Sequence, residues 1–130
     1  MTMAIRWLSG ITSVLVLLQA VLIGQALYLG DMAKLALHGW LGSGSLAAAV
    51  VLTVLTVIAA RRGELSSLTP SLGILVMLLM VAQLGLGYVG RRGGWPAAIH
   101  IPNGVFIAGL LFTLLMSTFM PKAQAGPIRR

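Results

Sequence analysis

The chain has 130 residues, enough for one domain, and 58% of them are hydrophobic while only 8% are charged. A soluble domain carries about 25% charged residues, so a water-facing globular fold is excluded, and so is disorder, which requires an apolar-poor chain. The net charge is +7, from nine Lys/Arg against Asp31 and Glu64. These cations punctuate apolar blocks, at Arg61-Arg62, Arg91-Arg92 and Arg129-Arg130, as flanking charge does in membrane proteins. No nucleic-acid partner is expected. No cysteine is present, which removes disulfides, Cys-ligated zinc, iron–sulfur clusters and covalent c-type haem.

Residues 7–30, 35–60, 65–90 and 93–121 contain no Asp, Glu, Lys or Arg. Each block exceeds the ~20 apolar residues that a spanning helix needs. Helices are predicted near 7–29, 32–60, 69–90 and 97–119, giving one all-α transmembrane domain over 1–130. The first block is too long for a signal-peptide core and lacks a small-x-small cleavage site, so it reads as a retained helix. Asp31 suits the N-cap of the second helix. Pro70 fits the start of the third, and Pro96 the first turn of the fourth. Pro102 falls inside the fourth helix, where a kink is expected with the Ala98 carbonyl short of its partner. Residues 121–130 form a basic tail suited to anionic lipid.

Four spans bring both termini to one side. Arg6, Arg61, Arg62, Lys122, Arg129 and Arg130 share that side, against Lys34, Arg91 and Arg92 on the other. The positive-inside bias puts both termini in the cytoplasm of a bacterial or archaeal cell. Trp7 marks the inner interface, and Trp40 and Trp95 the outer one.

The two halves repeat. Tyr28-Leu29-Gly30 ends the first helix and Tyr88-Val89-Gly90 the third; His38 opens the second and His100 the fourth. Gly42 follows His38 by four residues, and Gly104 follows His100 by four. Two like-oriented helical hairpins related by a pseudo-twofold axis along the membrane normal are expected. At about 1.5 Å per residue, His38 lies roughly 10 Å below the Asp31 cap and His100 roughly 6 Å below Pro96. The histidines therefore sit at similar depth on the outer side.

Two intramembrane histidines at matching positions are too few for zinc, which needs three or four ligands, and no span offers a carboxylate for a proton relay. They do suffice as the two axial ligands of a haem iron. Gly42 and Gly104 lie on the same helical faces as the histidines and remove bulk where a flat macrocycle would approach; Gly39, Ser43 and Gly44 extend that patch. Arg91, Arg92 and Lys34, on the same side, are candidate partners for haem propionates as well as ordinary interfacial anchors. Tyr28 and Tyr88 are candidate propionate donors or belt aromatics.

Gln19, Gln25 and Gln83 read as interhelical hydrogen-bonding residues. Gly85-x-Gly87-x-x-Gly90 follows a membrane helix and not a strand, so it is no dinucleotide fingerprint. Gly73 and Gly109 read as close-packing positions. Met77, Met80, Met116 and Met120 read as packing and not as iron ligands. Phe106 and Phe112 read as core residues, with a porphyrin edge as the second option.

Leu17-Leu18-Gln19 with Gly24, the stretch from His38 to Leu46, and Gln83-Leu84-Gly85 running on to His100 together resemble the haem A synthase family. The resemblance implies a four-helix unit whose second and fourth helices each begin with a haem-coordinating histidine, here His38 and His100, in a single half-size unit. It also implies an acidic residue three positions before the first histidine, where Leu35 stands, and an arginine directly after it, where Gly39 stands. The cysteine pair of many members is absent.

The expected function is a membrane cytochrome that binds one bis-histidine haem b near the outer leaflet and transfers electrons. Quinol, a redox protein, a second copy or a larger membrane complex would be its partner. Two rivals stand beside it: a haem-modifying enzyme, as the resemblance implies, and a haem-free scaffold or accessory subunit.

Overall fold

The computed structural model describes residues 1–120; the basic tail at 121–130 lies outside them. Four helices follow one another as α1 (Thr2–Leu29), α2 (Met32–Arg61), α3 (Leu68–Gly90) and α4 (Trp95–Ser117). Each is long and apolar enough to cross a membrane. Each packs on two neighbours, in the cyclic order α1, α2, α3, α4, and the diagonal pairs α1/α3 and α2/α4 make no backbone contact. The result is an up-and-down four-helix transmembrane bundle made of two like-oriented hairpins.

The expected helix starts hold where local chemistry defines them. Asp31 caps α2, its Oδ1 accepting from the backbone N–H groups of Ala33 at 3.0 Å and Lys34 at 3.2 Å. The Lys34 backbone N–H is the main cause that holds this carboxyl below the usual carboxylate range, helped by the Lys34 ammonium 3.2 Å away. Pro96 lies in the first turn of α4 and Pro70 in that of α3. Helix α4 runs on unbroken through Pro102. Gly30 ends α1 in the left-handed region at φ 64°, where a side chain is disfavoured.

Three ends differ from expectation: α1 begins at Thr2 and not near residue 7, and α4 runs from Trp95 to Ser117, two residues early at each end. One residue links the first and the last of these. Arg6 sits inside α1 and turns its guanidinium onto the end of α4, donating from Nε to Thr118 Oγ1 at 3.1 Å and from Nη2 to the Thr118 carbonyl at 2.8 Å. It also lies 3.8 Å from the centre of the Phe119 ring. The cation satisfies carbonyls that the last turn of α4 leaves without helical partners. Arg6→Leu is expected to release this end of the bundle at a cost on the order of 1–3 kcal/mol, the range for hydrogen bonds to a charged group. Thermal unfolding in detergent, followed by circular dichroism, checks it.

The interior is built from small and hydroxyl-bearing residues as much as from large apolar ones. Leu52, Ile107, Leu111 and Leu114 are fully buried, and so are Ser9, Thr12, Ser45, Thr56 and Thr69. Thr53 Oγ1 donates to the Ala49 carbonyl at 2.8 Å and lies 2.9 Å from the Gly73 carbonyl of the neighbouring helix. A Cβ at Gly73 would come within 2.9 Å of Thr56 Oγ1, so this glycine does set the close α2–α3 approach. Gly109 does not: nothing lies within 4 Å of its Cβ position, and it faces outward. Phe106 and Phe112 are also outward-facing, so neither is a core residue. Trp7, Trp40 and Trp95 all present their indoles on the outside of the bundle.

Candidate functional site

His38 is the seventh residue of α2 and His100 the sixth of α4, so both lie near the end of the bundle opposite the start of α1 and the end of α4. Their helices are diagonal partners whose backbones do not touch. The two imidazoles nevertheless meet across the bundle axis, with ring centroids 6.0 Å apart and planes at 71°.

Each ring is oriented in the same way. His38 Nδ1 lies 3.0 Å from the Gln19 backbone carbonyl, and His100 Nδ1 lies 3.1 Å from that of Gln83. A carbonyl only accepts, so each Nδ1 carries the hydrogen and a neutral ring keeps its lone pair on Nε2. In both hairpins the histidine of the second helix is thus held by a glutamine of the first. This repeated contact is the pseudo-twofold relation in its most concrete form. The Tyr-x-Gly match is weaker: Gly30 is a left-handed cap, whereas Gly90 ends α3 as a packing residue whose Cβ position lies 3.1 Å from the Ala97 nitrogen.

The glutamine side chains complete the site. Gln83 Nε2 approaches His100 Nε2 at 3.4 Å, and Gln83 Oε1 accepts from Asn103 Nδ2 at 2.7 Å. Asn103 also reaches the Leu79 carbonyl at 3.2 Å, which tethers the amide pair to α3. Gln19 Nε2 donates to Ser45 Oγ at 2.9 Å. Interhelical hydrogen bonding is therefore what Gln19 and Gln83 do; Gln25 is exposed on α1. Among the described residues no buried side-chain nitrogen or oxygen lacks a partner.

The glycines next to the histidines face these amides. A Cβ on Gly42 would lie 3.3 Å from Gln19 Oε1, and one on Gly104 would lie 3.0 Å from Gln83 Nε2. A third glycine does equivalent work for a ring: a Cβ on Gly87 would stand 3.0 Å from His100 Cε1. Gly87 was not expected among the site residues, and neither was Met80, which is buried between the histidines and the rest of the core. The signal for Met80 was its position one turn below Gln83; the signal for Gly87 was its place one turn above it.

A cleft of about 380 Å³ opens from this cluster between α1 and α4. His38, His100, Gln19, Gln83 and Met80 line it on one side, and apolar residues of α1 and α4 on the other.

The candidate outer groups divide. Arg91 reaches over α2, its Nη2 lying 3.9 Å from the Cβ position of Gly39, beside His38. Its guanidinium also sits 4.7 Å from the Tyr88 ring centre. Arg91 and Tyr88 thus stand together, with Arg91 beside the His38 end of α2. Lys34 pairs with Asp31 one turn above His38. Arg92 is exposed in the α3–α4 turn, and Tyr28, 89% exposed, points away from the bundle.

No protein-family model, no curated protein and no solved structure matches this chain. The functional reading therefore rests on its own residues. Among the described residues no group of three or more His, Cys, Asp or Glu is placed to hold a metal ion. What the site offers is two inward imidazoles with fixed tautomers, a polar amide girdle and an apolar cleft that reaches the outer face of the bundle.

Proposed function

We propose that the chain is a membrane-embedded b-type haem protein in which His38 and His100 are the axial ligands, working in electron transfer. The observation that carries the reading is the meeting of two histidines from diagonal helices at 6.0 Å, each with Nδ1 tied to a glutamine carbonyl. A separation of 6.0 Å between ring centroids is within the reach of one shared metal ion, whose bonds to histidine nitrogen are about 2 Å long. A hydrogen bond from the second ring nitrogen to a carbonyl is also the usual way to orient a ligating histidine and raise its basicity.

The donor set suits haem better than a bare ion. Two imidazoles leave a free ion short of ligands, whereas a porphyrin supplies four nitrogens of its own. When bound, the haem would supply one-electron chemistry, with His38 and His100 holding it. The chain's residues hold and insulate it. Gln19 and Gln83 orient the rings, and Gly42 and Gly104 limit bulk beside them. Gln83 must withdraw its amide from His100 Nε2, and Asn103 can retain that amide as it turns. Arg91, Arg92 and Lys34 lie on the side suited to propionates, with the tyrosines Tyr88 and Tyr28 at or beyond its edge. We take both termini as cytoplasmic, from the distribution of Lys/Arg, which puts the haem toward the outer leaflet.

The haem-modifying alternative needs an acid near the first histidine. Leu35 is apolar, and Asp31 is engaged as a helix cap and with Lys34. One observation favours the haem-free scaffold: the hydrogen bond between Gln83 and His100 satisfies that ring without iron. A reduced-minus-oxidised spectrum of the purified full chain decides between them. A sharp α band and a sharp Soret maximum are expected; a colourless protein after expression with ample haem would end the reading.

The outer cations give a graded check. Replacing both Arg91 and Arg92 by glutamine should lower the reduction potential, because nearby positive charge favours the reduced iron. A unit charge at about 10 Å and an effective dielectric of 20 contributes at most 1–2 kcal/mol, and surface screening should leave a shift on the order of tens of millivolts. Redox titration measures it, and an unchanged potential with unchanged haem content would remove both arginines from the site.

A further inference from the structure

The four seams of the bundle are not alike. Helices α1 and α2, α2 and α3, and α3 and α4 are each joined by a short loop, but α1 and α4 are neighbours with no loop between them. Away from the histidines the α2–α3 seam is sealed by Thr53 against the Gly73 carbonyl and by the close approach at Thr56; beside them it holds only a small pocket of about 50 Å³, lined by Gly39, Gly42 and Leu84. The α3–α4 seam is closed near its loop by Gly90 against the Ala97 backbone. On the loop side of His38, Arg91 lies over Gly39.

The α1–α4 seam is packed most loosely, and unevenly. At the start of α1 and the end of α4 it is fastened by Arg6 on Thr118 and Phe119. Toward the histidine end it opens into the cleft of about 380 Å³, whose walls include Ala20, Gly24, Gly104 and Ala108. At its rim Leu27 and Ile101 are 75% and 66% exposed, so they face hydrocarbon in a membrane. The polar lining is confined to the two histidines and the two glutamines, the rest of the wall is aliphatic with small residues at four positions, and the rim residues are exposed on the apolar surface of the bundle.

We infer that this seam is a lateral port, through which a planar tetrapyrrole dissolved in the membrane reaches and leaves the histidines between α1 and α4. The inference rests on the haem reading above and adds the route. Because the fastening lies at the far end, the histidine ends of α1 and α4 can part without straining a loop. Gln83 is the inner latch: its amide rests on His100 Nε2 and is tethered to Asn103, so it would have to turn aside for His100 to hold a haem iron. His38 and His100 would then hold the iron through Nε2 in exchange for the water or halide that free haem carries, while each Nδ1–H stays with its glutamine carbonyl. A haem that exchanges with the lipid phase suits delivery to other membrane proteins as well as residence.

The chain's lack of cysteine permits a clean test. Leu27→Cys and Ile101→Cys, introduced together, are joined across the mouth by a bis-maleimide with a disulfide in its spacer, in the full chain in lipid nanodiscs. Haemin is supplied from phosphatidylcholine vesicles, and uptake is followed by the Soret band; release is followed with a water-soluble apo-haemoprotein as acceptor. The staple should slow uptake and release by tenfold or more, leave the haem content of protein loaded beforehand unchanged, and be reversed by reduction. Ala108→Phe, which fills a wall without a cross-link, should slow both rates as well. Rates within twofold of the unstapled protein for both the staple and Ala108→Phe, with normal haem content, would overturn the port while leaving the haem site intact. No Soret band in the unstapled protein would instead overturn the haem reading, and the port with it.

Discussion

His38→Ala and His100→Ala are each expected to abolish stable haem binding while the bundle still folds. The expected loss of haem is at least tenfold for either, because a single imidazole leaves the iron without its second axial bond and without the carbonyl-anchored ring that positions it. The structural cost is small by comparison. Each substitution removes one Nδ1–carbonyl hydrogen bond, whose net contribution is about 1 kcal/mol, and leaves a carbonyl that lies within a helix. Soret absorbance per protein, with helicity measured in parallel, separates the two effects. Equal haem content in both variants and the parent would assign the histidines to hydrogen bonding alone. A low-spin spectrum restored to a His38→Gly variant by free imidazole would tie the loss to the missing ligand and not to altered packing.

The architecture was legible because charge marks helix ends in a membrane protein. The gaps between Asp31, Lys34, the Arg61-Arg62 pair and the Arg91-Arg92 pair delimit α2 and α3 to within a residue. The same rule failed at Arg6. A long cation is tolerated inside α1 because it reaches the Thr118 carbonyl sideways, a contact between residues 112 apart that no local pattern signals. The inward face was legible only in part. In lipid the outer face is as apolar as the core, so hydrophobic periodicity does not separate them. Size and hydroxyl content do: buried Ser9, Thr12, Ser45 and Thr56 stand against exposed Leu17, Val21, Ile101 and Phe112. Phe106, Phe112 and Gly109 were placed inside by type, and the structure puts all three outside.

At the site, the histidines were visible because an ionisable side chain in an otherwise charge-free span is rare and costly. Their common depth followed from counting residues along each helix. What the sequence could not supply was their second partner. Nδ1 is held by backbone carbonyls, which carry no residue-type signal, so Gln19 and Gln83 were recognised as hydrogen-bonding residues without their part in orienting the rings. The outer groups were chosen by side alone, which does not distinguish Arg91, folded over Gly39, from Tyr28 on the outer surface. The cleft was also invisible, because it belongs to α1 and α4, the neighbours furthest apart in the chain.

Gly87→Val is expected to cost nearly all haem binding, and Gly87→Ala about tenfold, or ~1.4 kcal/mol. The Cβ position of Gly87 lies 3.0 Å from His100 Cε1 and 3.4 Å from His100 Nδ1. An added methyl therefore pushes the ring off the Gln83 carbonyl, because the imidazole can yield only toward the cleft and not toward its own helix. A displaced ring loses the hydrogen bond that makes it a strong donor, so any haem still bound should show a raised reduction potential. Gly85 provides the control on the same helix, two residues earlier. Nothing lies within 4 Å of its Cβ position, and alanine is favoured over glycine inside a helix by about 1 kcal/mol. Gly85→Ala should therefore leave both spectrum and potential unchanged and should not lower the melting temperature. If Gly87 merely tightens helix packing, Gly87→Ala lowers the melting temperature and leaves the potential where it was. If it shapes the seat of the His100 ring, the potential and the low-spin signature move together, and the two alanine variants differ although they lie on one turn.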